Sequence, residues 1–235
     1  MSDTNPTDDR QPPATTPTAV IFDLDGTITK HGTYTPFVWH VARRNPAKMI
    51  YVAPILAAAS LYCVRLLSRA RVKEVMLGAV LGGAPKAEVK RQAVDFAEHC
   101  LRQALRPGAL KSIEKHQAAG DYLILATASF DFYAEIFGQR LGFDLTIATK
   151  TVRDAEGRMT GAIDGENCRG EAKLQAILAA LPELKSRFQV IAYSDHHVDL
   201  PLLRWADRSF AVNPTRSLRH HALAEHFEIL DWNVA

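Results

Sequence analysis

The sequence predicts an α/β fold of three layers: a parallel sheet with helices on both faces, an all-helical insertion and a small β-hairpin. Three observations carry this prediction. Short apolar runs recur at 19–22, 122–126, 190–193 and 210–212, and segments with helical spacing alternate with them at 109–119, 132–141, 173–181 and 200–206. Strands that are apolar along their whole length and separated by helices belong to a parallel sheet buried on both faces. Residues 32–105 carry no strand signal at all.

Taken in order, residues 1–18 (MSDTNPTDDRQPPATTPT) are rich in Pro, Thr and Asp and almost free of apolar side chains. They lack the basic start and apolar stretch of a signal peptide, and a disordered tail is expected. Residues 19–22 form the first strand. The insertion follows: Asn45 and Pro46 suit a helix start, as N-cap and first helical residue. Gly82, Gly83, Ala84 and Pro85 break the chain, and 86–105 repeats apolar residues at helical spacing. Segments 149–154 and 158–164 alternate polar and apolar residues around Ala155, Glu156 and Gly157, the pattern of a hairpin.

The 235 residues, 47% of them hydrophobic, suffice for one large domain with a real core. Cys63, Cys100 and Cys168 fit no metal or redox spacing, so free thiols in a reducing compartment are expected. The net charge of +2 conceals an asymmetry: residues 31–106 hold 12 Lys or Arg against 4 Asp or Glu, the remainder 16 against 22. A basic unit over an acidic one points to an anionic substrate or surface.

The segment 20–29 reads VIFDLDGTIT. Asp23 and Asp25 stand where a buried strand ends, and ligands of parallel sheets bind at such ends. Residues two apart share a face, and Gly26 allows a tight turn and close backbone approach. Asp195 and Asp199 follow another strand in AYSDHHVD, Thr127, Ala128 and Ser129 follow a third, and Lys173 opens a helix after 165–170. Hard oxygen ligands of this kind suit Mg²⁺. A carboxylate that attacks a phosphate dianion at contact meets a repulsion of roughly 9 kcal/mol at an effective dielectric near 20. A divalent cation and an ammonium oppose it, so the inventory suits phosphoryl transfer through an aspartyl-phosphate. His196 and His197 have no second ligand pair at zinc spacing. Asp199 could also cap the helix that begins near Leu200.

These motifs, DLDGT at 23–27, LILAT at 123–127, NCRGEAK at 167–173, SDHHVDLPLL at 194–203 and AVNPTRSLRHHA at 211–222, resemble the haloacid dehalogenase superfamily in its phosphoserine-phosphatase-like branch. The resemblance implies a Rossmann-like core at 19–31 and 106–235, with 32–105 as a helical cap. It implies Asp23 as nucleophile, Asp25 as general acid and base, and Thr127, Ala128, Gly26 and Lys173 as phosphate ligands. Asp23, the Asp25 carbonyl and Asp195 would hold Mg²⁺, supported by Asp199. Three departures stand out. Ser194 replaces the usual Gly of the fourth motif. Arg169 aligns as well as Lys173 with the third-motif cation. Gly32 stands where phosphoserine phosphatases carry a glutamate for the substrate amine.

The uncharged run 49–64 (MIYVAPILAAASLYCV) is shorter than a transmembrane helix, which needs about 20 residues. It is expected to be a buried cap helix kinked at Pro54. The alternative is docking on an anionic membrane, since Arg43, Arg44 and Lys48 precede it and Arg65, Arg69, Arg71 and Lys73 follow. The expected activity is Mg²⁺-dependent phosphomonoester hydrolysis in the cytoplasm, with no nucleic-acid partner. The favoured substrate is a lipid-linked or bulky anionic phosphate such as phosphatidylglycerophosphate. The alternatives are a phosphoserine-like small metabolite, transfer to a sugar acceptor, or a decayed regulatory module at the membrane surface.

Overall fold

The computed structural model describes residues 16–44 and 52–234. Most of the expected tail, and the helix start at Asn45 and Pro46, lie outside them. Among the described residues seven strands form one sheet: β1 (Thr18–Phe22), β2 (Tyr122–Phe130), β3 (Leu145–Arg153), β4 (Met159–Asp164), β5 (Gln189–Ser194), β6 (Arg208–Val212) and β7 (Glu228–Leu230). Their order is β4-β3-β2-β1-β5-β6-β7. Only the β3–β4 pairing is antiparallel. The fold class is as expected, and three details differ. Thr18 belongs to β1 rather than to the tail, and the Pro17 carbonyl already accepts the Gln189 amide. The first hairpin strand also pairs parallel with β2, so the hairpin extends the main sheet. β7, three residues long, has no apolar run to announce it.

The alternation of β1 builds the three layers. Val20 and Phe22 join one apolar cluster, Ala19 and Ile21 the other. On the first face pack α5 (Pro107–Ala118) and α6 (Asp131–Leu141), through Ile113, Tyr133 and Phe137. On the second pack α7 (Glu171–Ala180), the short α8 (Leu184–Arg187), α9 (Leu200–Trp205) and α10 (Arg216–Ala224), through Ile177, Leu184, Leu202 and Leu218.

The described part of the insertion holds α1 (Tyr34–Arg44), α2 (Val52–Cys63), α3 (Arg69–Leu81) and α4 (Lys86–Gln103). Its two connections run side by side: Thr29 bridges Leu105, Lys30 donates to Ala104, and Arg106 donates to the Ile28 carbonyl. Phe37, Leu77 and Phe96 of the insertion share one apolar cluster with Phe130, Tyr133 and Phe137. The insertion therefore has no core separate from the sheet's first face. Helix α3 lies directly on β4. A Cβ at Gly161, whose φ is +90°, would come 2.6 Å from the Gly78 Cα, so this contact requires glycine.

Two expectations for the run 49–64 are overturned within the described residues. Pro54 falls in the first turn of α2, where proline has no helical partner to lose. The helix is also not buried: of its described side chains only Ala58 is, while Leu56, Leu61 and Tyr62 are exposed. An uncharged run reports apolarity, and apolarity alone does not determine what covers it.

Candidate active site

Three neighbouring strands, β2, β1 and β5, end at one edge of the sheet and deliver the acids and hydroxyls together. Beyond Phe22 the chain turns through Leu24–Ile28, with Asp25 and Gly26 outside helical backbone angles. Gly26 has φ +86°, and a Cβ there would lie 2.4 Å from Asp195 Oδ2. Glycine at this point lets the Asp195 carboxylate close onto the first-motif turn. The β2 register shifts between Ala126 and Phe130, and such irregularities re-aim side chains at functional edges.

Asp23 is buried. Its Oδ1 accepts from Lys173 Nζ at 2.7 Å, and its Oδ2 accepts only a long 3.3 Å bond from the Thr27 hydroxyl. That hydroxyl also lies 3.5 Å from Asp195 Oδ1, so the two carboxylates converge on one point. Asp25 is held on both oxygens: Oδ1 accepts the Thr33 amide at 2.6 Å, and Oδ2 accepts the Ser129 hydroxyl at 2.6 Å. The buried Thr127 hydroxyl accepts the Ser129 amide at 3.0 Å, which leaves its proton to donate.

Lys173, buried in α7, bonds Asp23 Oδ1 and Asp199 Oδ2, each at 2.7 Å. Burial works against its charge, but Asp199 and Asp23 outweigh burial and hold the ammonium above the usual lysine range. Arg169 makes neither contact; it is half-buried near Arg69 and Tyr62. Asp199 stands at the N-cap of α9 but makes no side-chain cap bond there. The capping alternative fails because its carboxylate is turned to Lys173 and to the Ser194 hydroxyl at 2.8 Å. Ser194, the departure from the usual glycine, thus orients Asp199.

The donor set fits a Mg²⁺ ion. Burial raises the Asp23 carboxyl; Lys173 opposes the rise, while Asp199, Asp195 and Asp25 add to it. Burial and Asp199 likewise raise Asp195. This excess of like charge is what a divalent cation relieves. Among the described residues no three His, Cys, Asp or Glu side chains are grouped to hold a metal. Mg²⁺ needs fewer, since it keeps several waters and takes one or two carboxylates.

Sequence reasoning misses three contributors. Arg106, buried, donates from Nε to the Gly26 carbonyl at 3.0 Å and also bonds Asn233, which fixes the first-motif turn from behind. Thr33 offers only its backbone amide to Asp25, which no residue type announces. Lys73 stands in sequence among the basic residues that follow α2, yet it is buried. Its Nζ donates to the Ala128 carbonyl at 2.6 Å and to Asn167 Oδ1 at 2.9 Å, over the Phe130 ring at 4.4 Å. Burial draws its pKa down to about 8. On the other side of Asn167 lies a cleft of about 520 Å³, lined by Arg69, Arg169, Glu166 and Glu171; Lys73 does not line it. A larger cavity, about 700 Å³, lies over β3 and α7, and neither space is lined by any of the four aspartates.

The sequence profile of haloacid dehalogenase-like hydrolases matches residues 20–204. Protein CicA of Caulobacter vibrioides is 31% identical over 81% of this chain and 84% of its own length. Phosphoserine phosphatase SerB1 of Mycobacterium tuberculosis is 29% identical over 97% of this chain and 75% of its own. A crystal structure of a protein of unknown function from Bordetella pertussis Tohama I superposes with a TM-score of 0.81 at 28% identity. It covers 93% of this chain and 100% of that one.

Proposed function

We propose, from the premise that the chain belongs to the haloacid dehalogenase-like hydrolase family, that its phosphatase activity runs through an aspartyl-phosphate on Asp23. One observation carries this reading. Asp23 has one oxygen anchored by Lys173 and the other only loosely engaged, beside Asp195. The loosely held oxygen attacks phosphorus, the bond to the leaving oxygen breaks, and Asp25 gives that oxygen its proton. Asp25 then takes a proton from the water that attacks the acyl-phosphate, releasing phosphate and restoring Asp23. Both roles require Asp25 to be held still, which the Thr33 amide and the Ser129 hydroxyl accomplish. Thr127, the Ala128 and Gly26 backbone and Lys173 receive the phosphoryl oxygens. Asp23, Asp195 and the Asp25 carbonyl would hold Mg²⁺, which supplies charge neutralisation between carboxylate and phosphate.

Residues 32–105 serve as the cap in this reading. Lys73 reaches from the cap to the Ala128 carbonyl, and we assign it to an anionic group on the leaving side of the substrate. A phosphorylated small molecule with a second anion fits best, and the relative named phosphoserine phosphatase supports that class. Gly32 is exposed, and a Cβ placed there would meet nothing within 4 Å, so it offers no contact for a substrate amine. A lipid-linked phosphate is the second reading, favoured by the exposed apolar side chains of α2. A decayed site loses its motivation, because Ser194 orients Asp199.

The test is phosphate release with and without Mg²⁺ from an aryl phosphate, phosphoserine and phosphatidylglycerophosphate, with Asp23→Asn as control. An acid-quenched, base-labile phosphoenzyme in the wild type alone supports the reading. Equal background release from both proteins on every substrate overturns it.

A further inference from the structure

We infer that the cap carries a peripheral docking surface for an anionic membrane, formed by α2 and the turn that follows it. The inference does not depend on which phosphate is hydrolysed. Leu56, Tyr62, Val64 and Leu66 are 62%, 44%, 62% and 73% exposed. Single exposed apolar residues are ordinary, but Leu61, Tyr62, Val64 and Leu66 are exposed together at the end of the helix and in its exit turn, which marks an interaction surface. Covering such side chains removes apolar surface from water, so a partner surface gains from meeting them.

Charge selects the partner. Between Asp25 and Glu74 the sequence contains no Asp or Glu at all. Arg65, Arg69 and Arg71 are exposed immediately after the helix, and Arg43 and Arg44 are exposed at the end of α1. Of these, Arg71 has an acidic partner, Glu74, in its own helix. Exposed apolar side chains followed at once by exposed arginines, in a stretch of sequence without an acid, match the interface of an anionic bilayer, where each arginine adds to the attraction. No helix among the described residues is long and apolar enough to cross a membrane, so the contact lies on the surface.

The experiment is flotation of the full chain with vesicles of equal parts phosphatidylcholine and phosphatidylglycerol, and with phosphatidylcholine alone. It is run at about 0.1 M and about 1 M NaCl, between which the screening length drops from about 10 Å to about 3 Å. Binding is expected only to the anionic vesicles and is expected to be lost at high salt. Arg65→Ala should weaken it about fivefold, and Leu66→Glu about tenfold or more. Both variants should hydrolyse a soluble aryl phosphate at the wild-type rate, which shows that they are folded and separates failure of docking from failure of the phosphatase reading. Absence of salt-sensitive binding overturns the inference. So does a dimer in light scattering that Leu66→Glu dissociates without any vesicle binding, which would give the face to a second copy of the chain.

Discussion

Two lysines are buried among the described residues, one at the edge of the sheet and one in the helical insertion, and their surroundings are opposite. Lys173 is clasped by the carboxylates of Asp23 and Asp199 at 2.7 Å. Lys73 meets only neutral partners, the Ala128 carbonyl, the Asn167 amide oxygen and the faces of Phe130 and Tyr34. Burial works against both charges. Two aspartates reverse the effect at Lys173, whereas at Lys73 burial prevails and the pKa falls to about 8. An ammonium removed from water needs several kcal/mol of compensation. The sheet edge supplies this from its own carboxylates; in the insertion, the proposed substrate anion would complete it.

The largest effects should come from the edge that is already complete. Asp23→Asn should reduce turnover by about 10⁴-fold or more, since removal of a nucleophile is not compensated by the residues around it. Single-turnover phosphate release measures this. Lys173→Met leaves two buried carboxylates without their cation, a defect of about 3–5 kcal/mol. Urea unfolding should show that loss together with a loss of activity. Adding Asp199→Asn should recover part of the stability and none of the activity. If Lys173→Met is as stable as the wild type, the clasp is not what holds this edge together.

The contrast between the lysines also marks how far the sequence can be read. Lys173 is legible because its neighbours are. Apolar runs fix where β1 and β5 lie, and acids directly after such runs have few places to go except the carboxyl edge. Asp23, Asp25, Asp195 and Asp199 therefore meet where the strand pattern puts them. Lys73 is illegible because a lysine on a helix beside several arginines has the pattern of a solvated face. Only the packing of α3 against β4, through Gly78 and Gly161, turns it inward. The exposure of α2 is illegible for the converse reason, since the sequence records its apolarity but not its missing neighbour. The Thr33 amide and the long reach from Arg106 to Gly26 depend on backbone placement, which no motif encodes.

Replacement of Lys73 should produce a smaller effect of another kind. Lys73→Met removes a buried charge that has no acidic contact, so unfolding stability should hold or rise slightly. KM for substrates with a second anion should rise about tenfold to a hundredfold, while an aryl phosphate lacking that group keeps its KM. The pH dependence carries the sign. Burial lowers the Lys73 pKa, Asp25 opposes the fall, and Arg69 and Arg169 add to it, taking it from 10.5 to about 8 overall. Below that pH the ammonium is charged and binds the anion. As pH rises through about 8 it loses its proton, and KM should climb in the wild type but not in Lys73→Met. Between pH 8 and 10.5 the unfolded chain holds the proton and the folded chain does not, so this residue's contribution to stability rises with pH as affinity falls. Parallel changes in KM for both substrate classes would remove Lys73 from substrate recognition.

The smallest effect tests how the clasp itself is held. Ser194 donates to Asp199 Oδ2 at 2.8 Å and accepts the His196 amide at 3.3 Å. Asp199 Oδ2 is thus shared between a hydroxyl and an ammonium, and the hydroxyl fixes the direction from which Lys173 is pulled. Ser194→Gly, the residue usual in the family, removes one hydrogen bond to a charged acceptor and should cost about 1–2 kcal/mol in unfolding stability. Turnover should fall only a few-fold, because Lys173 keeps both aspartates. Ser194→Ala separates the hydroxyl from the backbone: if Ala and Gly behave alike, the bond to Asp199 accounts for the effect. If only Gly is destabilised, the residue acts through backbone stiffness and the fourth motif is oriented by Lys173 alone.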